Sequence, residues 1–274
     1  MSWIRARRRR PVAGYGAILL GLVSVGAVYA AVTGLGTGRA SASSSGAQQI
    51  AQGKSLFSVS CASCHGLDAQ GTSRAPSLIG AGAAAVDFQM STGRMPLKEI
   101  DAEAPSKPTT FSRKQIDAIA AYVASLGGGP GLPPSEALDM THADPGLGAQ
   151  LFDANCAQCH NFAGAGGALT GGKYAPPLTK ATKQQIYEAM VTGPEAMPAF
   201  NDDAITPSEK RDIIAYILQT RAEPDPGGFS LGRVGPITEG LVAWLGGMAA
   251  LVFAAMWITA KRREERTGEI TGRR

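Results

Sequence analysis

Two pentapeptides 95 positions apart fix most of what this chain can become. Cys61, Ala62, Ser63, Cys64 and His65 form the first, and Cys156, Ala157, Gln158, Cys159 and His160 the second; together they use all four cysteines and two of the three histidines. Two cysteines three apart on a helical turn can form thioethers to the two vinyl groups of one porphyrin, and the adjacent histidine then reaches the iron. CxxCH is the attachment signature of c-type haem. A zinc site would bring four ligands together tetrahedrally, commonly from CxxC pairs closer in sequence than Cys64 and Cys156, and needs no histidine after each pair. A thioredoxin-type redox pair expects a βαβ surround that this sequence lacks, and structural disulfides give no reason for the histidines. The cofactors predicted are therefore two covalently bound haem c groups.

The duplication extends beyond the cysteines. Gly53, Leu56, Phe57, Cys61, Cys64 and His65 recur as Gly148, Leu151, Phe152, Cys156, Cys159 and His160. Each copy is expected to open with an amphipathic helix that packs its Leu and Phe on one face and carries the cysteines at its end. Ser112 to Gln115 and Thr206 to Glu209 read as capping boxes, the second with Pro207 at the first helical position. Behind them Ile116, Ile119, Tyr122, Val123 and Ile213, Ile214, Tyr216, Ile217 are apolar at helical spacing, which predicts the terminal helices of two all-α units. The Gly- and Pro-rich residues 127–134 break helices and read as a linker, and 41–46 and 223–228 as polar spacers beside membrane segments. Units of about 100 residues or fewer bury little core unaided, so a porphyrin supplies apolar interior as well as redox chemistry.

The net charge of +4 misdescribes this middle region. Arg5, Arg7, Arg8, Arg9, Arg10 and Arg39 flank the first apolar run, and Lys261, Arg262, Arg263, Arg266, Arg273 and Arg274 follow the last, whereas residues 41–236 hold 14 Lys and Arg against 18 Asp and Glu. The basic excess reports membrane topology and gives no nucleic-acid footprint. Residues 12–35 carry no charge and 237–260 only Glu239; each run exceeds the roughly 20 apolar residues that cross a bilayer, which makes membrane lipid a partner. The flanking basic residues predict a multi-pass protein of the cell membrane, with both termini cytoplasmic and the haem units on the extracytoplasmic side. Ala40, Ser41 and Ala42 also fit a cleavage site, so the first segment is either a retained anchor, which its long apolar run favours, or a signal peptide. The expected division is 1–40 for the basic segment and first membrane helix, 41–130 for the first haem unit, 131–230 for the linker and second unit, and 231–274 for the last membrane helix and basic tail.

His65 and His160 take the proximal iron positions by spacing. For the sixth position the residues outside the membrane segments offer His142, Met90, Met95, Met140, Met190 and Met197. Met95 before Pro96 and Met197 before Pro198 each follow their own CxxCH and precede their own terminal helix, and that matched placement selects them as axial ligands. Met90 and Met190 are the alternatives, since a methionine on an apolar face ordinarily packs a core. A thioether ligand favours ferrous iron, raises the potential and leaves no open site, so such a haem carries electrons and does not readily bind oxygen or peroxide. His142, beside the linker, is expected in solvent; as a ligand it would give a bis-histidine haem of lower potential. Pro76 and Pro176 follow the histidines on loops that either offer a backbone carbonyl to the proximal Nδ1–H or form ordinary turns.

The CxxCH, the loop prolines ahead of Leu78 and Leu178, the Met–Pro pairs and the capped terminal helices together resemble the class I cytochrome c fold, twice. Two such domains between an N-terminal apolar segment and a C-terminal membrane helix resemble the dihaem cytochrome c subunit of the actinobacterial cytochrome bcc (menaquinol–cytochrome c reductase) complex, over nearly the whole chain. The resemblance implies an all-α chain of two tandem class I cytochrome c domains flanked by transmembrane helices. It also implies an electron-transfer subunit of a respiratory translocase, which takes electrons from a Rieske iron-sulfur subunit, sits beside a cytochrome b subunit and delivers to an aa3-type cytochrome c oxidase. Tethering both haems would replace diffusion of a soluble carrier by an intramolecular hop. Residues 131–236 hold 7 basic and 12 acidic side chains against 7 and 6 in 41–130, so the acidic second unit is expected to dock a partner with a basic patch. Rival readings are the cytochrome subunit of a membrane-bound dehydrogenase and a generic anchored dihaem carrier. A dihaem peroxidase needs a vacant sixth position, against which the paired Met–Pro segments argue. No catalytic residue is expected: the membrane spans hold no paired carboxylates, which assigns quinol chemistry to partner subunits.

Overall fold

The computed structural model describes residues 11–99, 103–224, 233 and 236–271, with side chains for 14–31, 45–99, 103–224, 233 and 238–263. Helix α1 (Pro11–Ser60) is one continuous rod of 50 residues, about 75 Å at 1.5 Å per residue. The stretch 41–46, expected as a polar spacer, is helical backbone inside it. No proline interrupts that stretch, and extending a helix already nucleated on both sides is easier than ending one and starting another. The first unit therefore continues directly from the apolar N-terminal segment.

That unit continues through α2 (Ala62–His65), α3 (Gly82–Ser91) and α4 (Arg113–Ser125). Helix α4 crosses the end of α1 at Gly53, where an added Cβ would overlap the carbonyl of Ala118. One turn on, Phe57 is 1% exposed and meets Tyr122 with ring centroids 5.3 Å apart, tilted by 57°. The second unit repeats the device with α5 (Pro145–Asn155), α6 (Ala157–His160), α7 (Lys183–Thr192) and α8 (Pro207–Ala222). A Cβ at Gly148 would overlap the Asp212 carbonyl, and Phe152 meets Tyr216 at 5.2 Å and 52°. The recurrence of Gly, Phe and Tyr thus has one cause, a close helix crossing locked by an aromatic pair. Helix starts follow their caps: Ser112 N donates to Gln115 Oε1 at 2.9 Å, and Thr206 N to Glu209 Oε2 at 2.8 Å.

A small departure from the all-α expectation lies in the second unit. Strands β1 (Gly167–Ala168) and β2 (Tyr174–Ala175) pair antiparallel, Gly167 opposite Ala175 and Ala168 opposite Tyr174. The loop from His160 to Pro176 spans 16 positions against 11 from His65 to Pro76, and the extra length folds into this hairpin. The first unit has a single bridge there, Thr72 to Ala75.

The units meet through equivalent helices, α3 against α7. Gln184 Nε2 donates to Asp87 Oδ2 at 2.9 Å and Gln185 Nε2 to Ser91 Oγ at 3.2 Å. Asp87, fully buried, also takes both guanidinium arms of Arg113 at 2.8 and 2.6 Å. The last helix, α9 (Pro236–Thr271), is about 54 Å long by the same rise. Gly14–Ala31 and Thr238–Arg263 have mean hydropathy 1.7 and 2.1 and bury none of their surface against protein, so both are long and apolar enough to cross a membrane. Arg5, Arg7, Arg8, Arg9, Arg10, Arg273 and Arg274, and residues 225–228 of the last spacer, lie outside the described residues, as do the side chains of Arg39 and Arg266.

Candidate functional site: two haem-binding sites

Each CxxCH folds as a helical turn, His65 N donating to Cys61 O at 3.0 Å and His160 N to Cys156 O at 2.9 Å. The following loop returns to the histidine: Gly71 N donates to His65 O at 2.7 Å and Gly166 N to His160 O at 3.0 Å. Both glycines have positive φ, 84° and 77°, and a Cβ on either would strike the loop backbone, so only glycine fits without strain. The loops deliver Pro76 O to 2.8 Å from His65 Nδ1 and Pro176 O to 3.0 Å from His160 Nδ1. Of the two sequence readings of these prolines, the structure has the hydrogen bond. A carbonyl only accepts, so Nδ1 carries the proton of each neutral ring and Nε2 keeps the lone pair that a metal needs. Burial lowers the His160 pKa, with the Pro176 bond acting against it, which favours that neutral form.

In each unit the first cysteine and the Met–Pro methionine pack against the same core. Cys61, Leu78 and Met95 pack against the core built on Phe57, and Cys156, Leu178 and Met197 against the core built on Phe152. The Cys61 and Cys156 thiols are both pushed up to about 11, by burial first and then by the neighbouring Cys64 or Cys159; the first cysteine of each pair faces apolar surroundings. Met90 and Met190 are 4% and 2% exposed, inside α3 and α7. His142 ends an exposed 3₁₀ turn, Met140–His142.

In the second unit these groups bound a cavity of about 980 Å³, lined by Cys156, Cys159, His160, Met197, Phe152 and Ile213 among others, Met190 included. That volume lies near the top of the roughly 300–1,000 Å³ range of cofactor pockets. Two thiols able to take a porphyrin's vinyl groups and an imidazole able to face its iron, with a thioether close by, line an otherwise largely apolar pocket, so the residues fit haem c.

Sequence reasoning missed a buried polar cluster between the units. Glu188 is fully buried on α7, Gln184 Nε2 bonds it at 2.9 Å, and its Oε2 has no partner. Burial pushes its carboxyl up to about 8; the Gln184 bond opposes the rise, the Asp87 charge adds to it and Arg113 opposes it. A single charge in an amphipathic helix reads as a solvated face, so the sequence carried no signal for it. The Thr182 to Gln185 capping box of α7 was also missed, although its pattern was there to read.

Two crossed-helix units, each presenting CxxCH, a proximal histidine fixed by a proline carbonyl and a nearby Met–Pro loop, define a dihaem c-type cytochrome. Comparison with known proteins agrees. Residues 50–127 match the family model for cytochrome c, and residues 143–217 that for cytochrome c oxidase, cbb3-type, subunit III. The cytochrome bc1 complex cytochrome c subunit of Corynebacterium efficiens is 46% identical, covering 94% of this chain and 92% of the relative. Its namesake in Mycobacterium bovis is 45% identical over 94% of both chains. The cbb3-type oxidase subunit CcoP of an Azospirillum species is 30% identical over 57% of this chain and 58% of its own. The chain belongs to the family of cytochrome bc1 complex cytochrome c subunits. It is a membrane-associated cytochrome of respiratory electron transfer with two covalently bound haem c groups.

Proposed function

We propose that this chain is the electron conduit of a quinol–cytochrome c reductase, a respiratory translocase, carrying electrons from a Rieske iron-sulfur subunit through both haems to an aa3-type oxidase. A cytochrome b subunit and membrane lipid complete its surroundings. The observation that carries the reading is the direct packing of the two haem units through α3 and α7 in a chain with a candidate membrane helix at each end. Units 41–130 and 131–230 lie on the extracytoplasmic side, and both termini are cytoplasmic.

Cys61 and Cys64 would hold the first haem c and Cys156 and Cys159 the second, with His65 and Met95, and His160 and Met197, as the side chains that would ligate the iron. Bound in this way, haem c supplies a one-electron couple whose potential a methionine ligand raises. The protein's part is to hold and exclude. The carbonyls of Pro76 and Pro176 orient the imidazoles, and Phe57 and Phe152 keep water from the interior. Met95 and Met197 sit on loops after α3 and α7 and not within them, which distinguishes them from the core-packed Met90 and Met190. The acidic second unit steers a basic partner, so transfer to the oxidase slows as salt rises.

The test is purification of the complex from membranes through a tag on this chain. Cytochrome b, Rieske and oxidase subunits are expected to travel with it. A flavin or quinoprotein dehydrogenase in their place would overturn the reading.

A further inference from the structure

The cavity of the second haem site is walled on one side by the first unit. Phe88, Arg94, Glu103, Pro105, Lys107 and Thr109 line it together with the second unit's own residues. Reciprocal hydrogen bonds fasten this wall. Tyr174 N donates to the Glu103 carboxylate at 3.0 and 3.1 Å, and Ala104 N donates to Glu195 Oε1 at 3.0 Å, so each unit's glutamate accepts from the other unit's backbone.

Three cationic side chains line the cavity: Arg94, Lys107 and Lys180. Lys107 is committed elsewhere, its Nζ donating to Pro96 O at 2.6 Å and Arg94 O at 3.3 Å. Lys180 is exposed. Arg94 is half-buried, its guanidinium 5.0 Å above the Phe88 ring and within the electrostatic reach of Glu195 and Glu103. Among the described residues that guanidinium donates no hydrogen bond to a protein acceptor. A haem c brings to its pocket two carboxylates, groups that a guanidinium fork matches.

We propose that Arg94 of the first unit is a positioning residue of the second haem, offering its guanidinium to that haem's carboxylates across the unit boundary, with Glu103 as the opposing charge. The inference rests on the reading of Cys156, Cys159 and His160 as the second haem's attachment. Charges on one unit then set the potential of the other unit's haem. A nearby cation disfavours the more positive ferric state and raises the potential; an anion lowers it. Both effects are larger in a partly buried site, with an effective dielectric of about 20, than in water at about 80. Arg94 also precedes Met95, so one loop touches both redox centres.

The experiment is an optical redox titration of the purified complex carrying Arg94→Gln, Arg94→Lys or Glu103→Gln. The second haem is identified as the wave lost in the double variant Cys156→Ser, Cys159→Ser. Arg94→Gln is expected to make the second haem roughly three- to tenfold harder to reduce, tenfold being about 59 mV for a one-electron couple. Arg94→Lys, which keeps the charge, restores most of the shift. Glu103→Gln, which keeps an acceptor for Tyr174 N, moves the same wave the opposite way. Opposite signs at one haem are a charge signature that a loosened interface does not produce. Shifts of equal sign, a larger shift at the first haem, or no shift at either would overturn the proposal. If the cysteine variant removes neither wave, it is the attachment reading that fails, and the paired signs still judge Arg94.

Discussion

The two haem units share a helix crossing and the bonds that hold the histidine, and differ in what surrounds them. In the first, the opening helix is the end of a candidate membrane helix and His65 is 9% exposed. In the second, the opening helix starts afresh at Asp144, whose Oδ1 accepts from Gly146 N and Leu147 N at 2.8 and 3.1 Å. Its histidine loop carries an added hairpin, its surface is acidic, and its cavity borrows a wall from its neighbour. The repeat has kept what grips a porphyrin and varied what faces other molecules. One unit is built on the end of a rod, and the other's cavity opens at the seam.

The largest test of that comparison removes one porphyrin at a time. Replacing both cysteines of either motif by serine should lower haem content from two per chain to one, read by pyridine haemochrome assay, and unfold the affected unit. Loss of both haems from a single motif would show that the seam binds the units into one folding body.

Next come the aromatic locks. Phe57→Ala and Phe152→Ala each delete a nearly inaccessible ring and should cost about 3–5 kcal/mol in denaturant unfolding. Similar costs support equivalence of the two crossings; a much smaller one at either would break it.

Glu188 separates the units by pH. Its folded pKa is raised from the ordinary 4.5 to about 8, so the folded state holds a proton that the unfolded state releases between those values. Its stabilising effect is complete below pH 4.5, declines as pH rises, and is gone above about 8. Glu188→Gln mimics the protonated form. Its advantage over the parent in unfolding free energy, read by denaturant titration, should therefore grow from pH 5 to pH 8, on the order of a few kcal/mol. The first unit has Phe88 at the matching place, two residues before Met90, and Phe88→Leu should leave the pH profile unchanged. A flat difference for Glu188→Gln would contradict the burial argument.

The smallest effect concerns the caps. Thr206→Ala and Ser112→Ala should each cost about 1 kcal/mol, the former more because Thr206 Oγ1 also accepts from Glu209 N at 3.3 Å.

Much of this was legible because its causes are local. CxxCH, the capping boxes at Ser112 and Thr206 and the Gly–Phe repeat each encode geometry within a turn or two, and the apolar runs encode length. The spacer at 41–46 was misread because polar composition resembles a linker, whereas a helix nucleated on both sides runs through it. The hairpin at 167–175 followed from loop length, which the sequence displayed but did not interpret. The seam between α3 and α7, with Asp87 and Glu188 inside it and Arg94 on the neighbouring cavity wall, depends on two segments about 100 residues apart meeting. No periodicity within either segment announces that.

In the proposed conduit neither iron is open to solvent ligands. The direct measurement is the optical spectrum of the dithionite-reduced complex with and without carbon monoxide, restricted to the c-type haem bands. Those bands should be unchanged by the gas, with two haems per chain remaining low-spin. A carbon monoxide adduct at either c-type haem would contradict the claim and return the molecule to the class that binds and reacts.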